Sequence, residues 1–161
     1  MPVFTPEDFR ATLSQFATGV TIVTAMDAQG QKIGLTANSF NSVSLTPPLV
    51  LWSLSKQSSS MPGLLTASSY AINVLAGDQR VLAERFARKG VDRFEGVDWR
   101  PGLSGAPLIQ GAVASFECRP RSHHDEGDHL IFVGEVTHCQ RRIGAVPLLF
   151  HGGRFFTDLP L

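Results

Sequence analysis

No sign of charge prevails in this sequence: Lys plus Arg total 14, Asp plus Glu total 14, and the formal net charge is zero. That removes the electrostatic case for nucleic acid or an anionic membrane as partner. It also weakens repulsion between copies, which permits self-association. No apolar run reaches the roughly 18 residues of a membrane-spanning helix. The opening segment, through Pro2-Val3-Phe4-Thr5-Pro6-Glu7-Asp8, has neither the basic nor the apolar stretch of a signal peptide. Cysteine is scarce: Cys118 and Cys139 lie in separate strand-like segments and match no metal-ligand spacing. These features read as a cytoplasmic protein whose thiols are reduced and buried. Also missing are a Walker-type phosphate loop, a hydrolase-like nucleophile constellation, an internal repeat, and the regular strand–helix alternation of a doubly wound sheet.

What remains is a globular composition, 43% hydrophobic and 17% charged, in a length that suits one domain spanning 1–161. Thr5-Pro6-Glu7-Asp8 reads as a helix start, with Phe9, Leu13 and Phe16 on one stripe and Gly19 as the stop. Val20–Ala25 and Lys32–Ala37 read as a hairpin around the turn Asp27-Ala28-Gln29-Gly30. Further strands are expected at Leu49–Leu54, Tyr70–Leu75, Gly111–Arg119, His129–His138 and, as two short pieces, Leu148–Phe156. Helices are expected after Ser58-Ser59-Ser60 and over Asp78–Ala87, with Lys89–Pro107 irregular and Arg121–Asp128 a polar connection. The fold class is therefore mainly β (α+β): an antiparallel barrel with short inserted helices.

The run Gly34–Val50 is dense in small hydroxyl and amide side chains, yet it leads directly into the apolar strand Leu49-Val50-Leu51-Trp52. Small polar residues beside a buried strand suit a flat ligand edged with heteroatoms. Thr36, Asn38 and Ser39 offer both donors and acceptors, as the pyrimidine edge of an isoalloxazine requires. The alternative is a polar turn whose side chains bond their own backbone. Ser53-Leu54-Ser55-Lys56-Gln57-Ser58-Ser59-Ser60 supplies hydroxyls and a cation for a phosphate, or is an ordinary capping loop. Arg88-Lys89-Gly90-Val91-Asp92-Arg93 is a phosphate clamp or a helix end with a glycine cap. In His123-His124-Asp125-Glu126-Gly127-Asp128-His129 the metal-protease spacing is missing, so no metal site is expected. There Gly127 permits a tight turn, Asp128 can orient an imidazole, and His129 can face a ligand.

Taken together, Phe16-Ala17-Thr18-Gly19-Val20, Gly34–Phe40 with Ser42-Val43-Ser44 and Pro47-Pro48, Tyr70–Leu75, and Gly127-Asp128-His129 resemble the flavin reductase-like family, the FMN-binding split barrels, over nearly the whole chain. In particular they resemble the reductase component of two-component flavin-dependent monooxygenases. The resemblance implies hydride transfer from NADH, with NADPH as the alternative, to FMN or FAD. Reduced flavin would serve a separate monooxygenase, since the chain is too short to contain one. It implies that Thr36, Ala37, Asn38 and Ser39 line the ring and ribityl chain, that Ser53, Leu54 and Ser55 contact the ring, and that Ser59, Ser60 and Lys89 hold the phosphate. Gly127, Asp128 and His129 would place the nicotinamide, and Phe155 would lie near the ligand. A homodimer is implied as well. Two other functions are compatible with the same motifs: reduction of a ferric or corrinoid complex, and a non-catalytic flavin- or haem-binding barrel.

Overall fold

In the computed structural model, which describes residues 2–158 and Leu161, the chain orders as α1 (Pro6–Leu13), β1 (Thr18–Gly19), β2 (Thr21–Met26), β3 (Lys32–Ala37), β4 (Asn41–Leu45), β5 (Pro48–Ser55), α2 (Met61–Thr66), β6 (Tyr70–Val74), α3 (Arg80–Phe86), β7 (Trp99–Pro101), β8 (Pro107–Ile109), β9 (Ala114–Glu126), β10 (His129–Arg141), β11 (Leu148–His151) and β12 (Arg154–Thr157). The ends of the expected 1–161 domain, Met1, Leu159 and Pro160, lie outside the described residues. No helix among those described is long and apolar enough to cross a membrane.

Seven strands form one antiparallel sheet in the order β3-β2-β6-β9-β10-β5-β4. Its two edge strands, β3 and β4, are consecutive in sequence and joined only by residues 38–40. At full extension that link reaches about 14 Å. In a flat seven-stranded sheet the edges would stand roughly 29 Å apart. The sheet must therefore curl upon itself, as a split barrel does. The curl separates two cores. Val23, Leu35, Trp52, Tyr70, Ile72 and Phe132 fill the inside, with Trp52 stacked on Phe132 at 4.7 Å. Val20, Ile22, Leu75, Phe86, Phe94 and Leu148 pack outside, beneath α3 and the β11–β12 hairpin. Strand β2 is buried on both faces, which explains its continuous β-branched sequence rather than an alternating one. Gly34 belongs to the outer face of β3: a Cβ there would lie 2.5 Å from the Phe86 ring, so glycine lets α3 seat on the strand.

The first helix begins as expected: Thr5 and Asp8 exchange side-chain-to-amide bonds in a capping box. It stops at Ser14 rather than at Gly19, because Thr18 and Gly19 pair with Phe150 and Leu149 of β11. The stripe of Phe9, Leu13 and Phe16 is left exposed, Phe16 at 78%. Arg121–Glu126 is strand rather than connection: β9 and β10 pair from Ala114↔Arg141 to Glu126↔His129, leaving only Gly127-Asp128 as the turn. The segment is polar because it is exposed along its length. Within 89–107, Trp99–Pro101 forms a small two-stranded sheet with Pro107–Ile109, where an irregular segment is expected. Cys118 is buried, and burial pushes its thiol up to about 12. Cys139 is exposed, against the expectation of two buried thiols, because the end of β10 beyond Val136 extends past the packed core.

Candidate functional site

Strand register places the predicted residues first. Trp52 and Leu54 point into the barrel, so Ser53 and Ser55 face outward. His129 lies opposite Ser55 and Ile131 opposite Ser53, on the same outer face. Strand β4 begins opposite Leu51, so beyond that point this edge of β5 has no ladder partner. Ser39 replaces one: its Oγ accepts from Ser53 N–H at 2.9 Å and donates to the Ser53 carbonyl at 3.2 Å. Ser55, two residues or about 7 Å further on, turns its backbone to the same open edge. Ser39, Ser53, Ser55 and His129 thus share one surface, although residues 39 and 129 are far apart in sequence.

The hydroxyls do not all face a ligand. Thr36 Oγ1 donates to the Ala83 carbonyl of α3 at 2.6 Å, and Ser39 Oγ is held by Ser53. Both anchor the scaffold. The backbone amides of residues 38–40 meet no protein acceptor among the described residues, and neither does the Asn38 carboxamide. This run of unpaired donors on a non-ladder segment fits the polar edge of a flavin ring. Leu54 is buried in the inner core, so only its backbone is available there. Thr36, Ala37, Asn38 and Phe155 line a hollow of about 390 Å³ between β3, α3 and the β11–β12 hairpin. Asn38 and Ser39 also border a hollow of about 500 Å³ with Phe16, Thr18 and Phe40, where the buried Thr18 hydroxyl has no partner.

Ser59, Ser60 and Lys89 meet in a third cleft of about 660 Å³, between the β2–β3 turn, α2 and the 89–94 segment. Lys32 and Arg93 line it too, against the carboxylates of Asp27 and Asp92. Arg93 donates to the Gly34 and Arg88 carbonyls at 2.8 Å each, and burial lowers its affinity for a proton. Lys32 sits 4.8 Å from the Trp99 ring centre. Lys89 forms no ion pair among the described residues, so its ammonium is open to an anion. Helix α2 has only six residues, so the groups this cleft offers to an anion are the hydroxyls and the Lys89 ammonium rather than a helix dipole.

Gly127 has a φ of 61° while Asp128 is at negative φ, the pattern of a two-residue hairpin turn that needs glycine at its first position. The Asp128 carboxylate meets His129 Nδ1 at 2.6 Å. That bond, with the imidazole's charge and that of Lys56, holds the Asp128 carboxyl below its usual range. With Nδ1 engaged, Nε2 of a 46% exposed side chain is left for a ligand. Lys56, read from sequence as a cation for a phosphate but not among the residues the resemblance assigns to the site, bonds the Gly127 carbonyl at 2.7 Å and pairs with Asp125. Its only sequence signal is a cation inside a serine-rich run. His123 and His124 are adjacent in β9 and so point to opposite faces, which keeps that cluster from converging.

The family model described as the flavin reductase like domain matches residues 13–157. The chain is 52% identical to the FMN reductase (NADH) SmoA of Agrobacterium fabrum, over 91% of its own length and 83% of that protein. It is 38% identical to HsaB, the reductase subunit of a flavin-dependent monooxygenase of Rhodococcus jostii, over 93% of its length and 76% of that protein. Its fold superposes on the NADH:FAD oxidoreductase SgcE6 of Streptomyces globisporus, solved with NAD and FAD fragments, with a TM-score of 0.91 and 42% identity, covering 99% of this chain and 98% of that one.

Proposed function

The chain belongs to the flavin reductase-like family, and we propose that within it the protein transfers hydride from NADH to FMN or FAD and delivers reduced flavin to a separate monooxygenase. The observation that carries this reading is the common outer surface of Ser39, Ser53, Ser55 and His129. It puts unpaired donors for a flavin edge beside an oriented imidazole. The activities of the similar proteins favour flavin as acceptor over a ferric or corrinoid complex, and catalysis over passive binding.

Bound flavin supplies an electrophilic ring nitrogen that accepts hydride. The chain's own residues bind and orient. The amides of residues 38–40, with Asn38 and the Ser53–Ser55 backbone, hold the ring's polar edge. Thr36 and Ser39 keep that segment in place through Ala83 and Ser53. Ser59, Ser60 and Lys89 take the phosphate, and Phe155 borders the ring. His129, held by Asp128, would touch the nicotinamide and help orient it toward the flavin. No proton abstraction from carbon is needed, in keeping with a site built from hydroxyls, amides and one imidazole.

A homodimer accompanies this reading, supported by the exposed stripe of Phe9, Leu13 and Phe16 beside the hollow that holds Asn38 and Ser39. Residence in the cytoplasm is supported by two free thiols.

The test is anaerobic mixing of purified protein with NADH and either FMN or FAD, following loss of the oxidised flavin's visible absorbance. A rate well above free flavin is expected. No rate above that background, with NADH or NADPH at saturating flavin, rejects the reading.

A further inference from the structure

We propose that Lys56 is a positioning residue that clamps the Gly127-Asp128-His129 turn to the end of β5, so that His129 meets the nicotinamide; this rests on the role given to His129 above. Lys56 follows Ser55, whose cross-strand partner is His129. Its backbone N–H donates to the Asp128 carbonyl at 3.0 Å, and its ammonium donates to the Gly127 carbonyl at 2.7 Å and pairs with Asp125. One side chain and its own amide therefore grip both turn residues and the strand that leads into them.

The ladder pair of Glu126 with His129 closes the turn, but among the described residues no side chain other than that of Lys56 bonds its backbone. Asp128 orients the imidazole, but its side chain is 93% exposed and can move with the ring. Asp125 is also well exposed, so its ion pair with Lys56 adds little alone. The decisive bond is the one to the Gly127 carbonyl, made by a lysine only 37% exposed. Two of the ammonium's three protons are thereby engaged, which argues against Lys56 as a direct phosphate ligand despite its place in the serine-rich run. The β5–β10 ladder joins the two strands as far as His129 and Ser55; Lys56 extends that link to the carbonyls of Gly127 and Asp128, beyond the last ladder pair.

Lys56→Met keeps the apolar stem and removes the ammonium. In steady-state assays at saturating flavin it should raise KM for NADH by about tenfold. The kcat and the flavin Kd should stay within about twofold of wild type, and Lys56→Arg should recover most of the loss. A surface residue with only a packing role would not produce that split or that rescue. An unchanged KM for NADH overturns the proposal. So does a rise in flavin Kd as large as the rise in KM, which would make Lys56 a flavin ligand. Should Lys56→Met fail to fold, Lys56→Gln is the substitute and must show the same split at smaller size. Absence of any flavin reduction by wild type would instead reject the function proposed above.

Discussion

Ser39 Oγ engages both the N–H and the carbonyl of Ser53, across the seam where the curled sheet meets itself. A side chain there does what a strand would do elsewhere in the ladder. It also ties residues 38–40, whose amides meet no acceptor among the described residues, to the end of β5.

Ser39→Ala removes both bonds and leaves the Ser53 amide without its acceptor. The expected cost is about 1–3 kcal/mol in unfolding free energy. Flavin affinity should fall as well, because the donor segment is no longer held. Thermal denaturation and flavin titration of the same variant check both effects.

His129→Ala should raise KM for NADH more than it weakens flavin binding. The ring sits on the turn, opposite Ser55, while the donors assigned to flavin lie on residues 38–40 and the edge of β5. Equal losses in both quantities would remove His129 from the nicotinamide side.

Phe16→Glu puts a charge on the exposed Phe9–Leu13–Phe16 stripe. If that stripe is the subunit contact, sedimentation should show wild-type dimers and variant monomers at the same micromolar concentration. A variant that sediments as wild type would place the contact elsewhere.

Glu117 should give the fold a pH dependence. It is 5% exposed. Burial opposes its ionisation, but bonds from the Ser104 amide and hydroxyl, the Leu103 amide and the charge of His138 outweigh burial and lower its pKa from 4.5. A carboxyl with a depressed folded pKa stabilises the fold above its unfolded value and loses that contribution as pH falls through the lower folded value. Wild-type stability should therefore drop below about pH 4.5 more steeply than that of Glu117→Gln, which has no proton to gain there. Urea midpoints measured from pH 6 downward test this. Parallel curves for the two proteins would remove Glu117 as a source of the slope.

The local pieces of this fold are legible in the sequence because each rests on neighbours in the chain. Thr5 caps α1 because Asp8 is three residues away. Strand β2 opens on the unbroken β-branched run Thr21-Ile22-Val23-Thr24 because both its faces are covered. Gly127 turns because glycine tolerates its φ. Family resemblance added the segments that belong together. What could not be read locally depends on contacts between distant residues. The polarity of Arg121–Glu126 suggested a loop, yet pairing with β10 makes it strand. The hydroxyls of Thr36 and Ser39 looked equivalent to the Asn38 amide as ligand donors, but only the tertiary contacts with Ala83 and Ser53 show that both are engaged within the protein. Lys56 looked like a phosphate cation until the hairpin brought the Gly127 carbonyl to it. Composition and spacing determine which groups are available; the curl of the sheet, forced by a three-residue link between its edges, decides which of them remain free to bind.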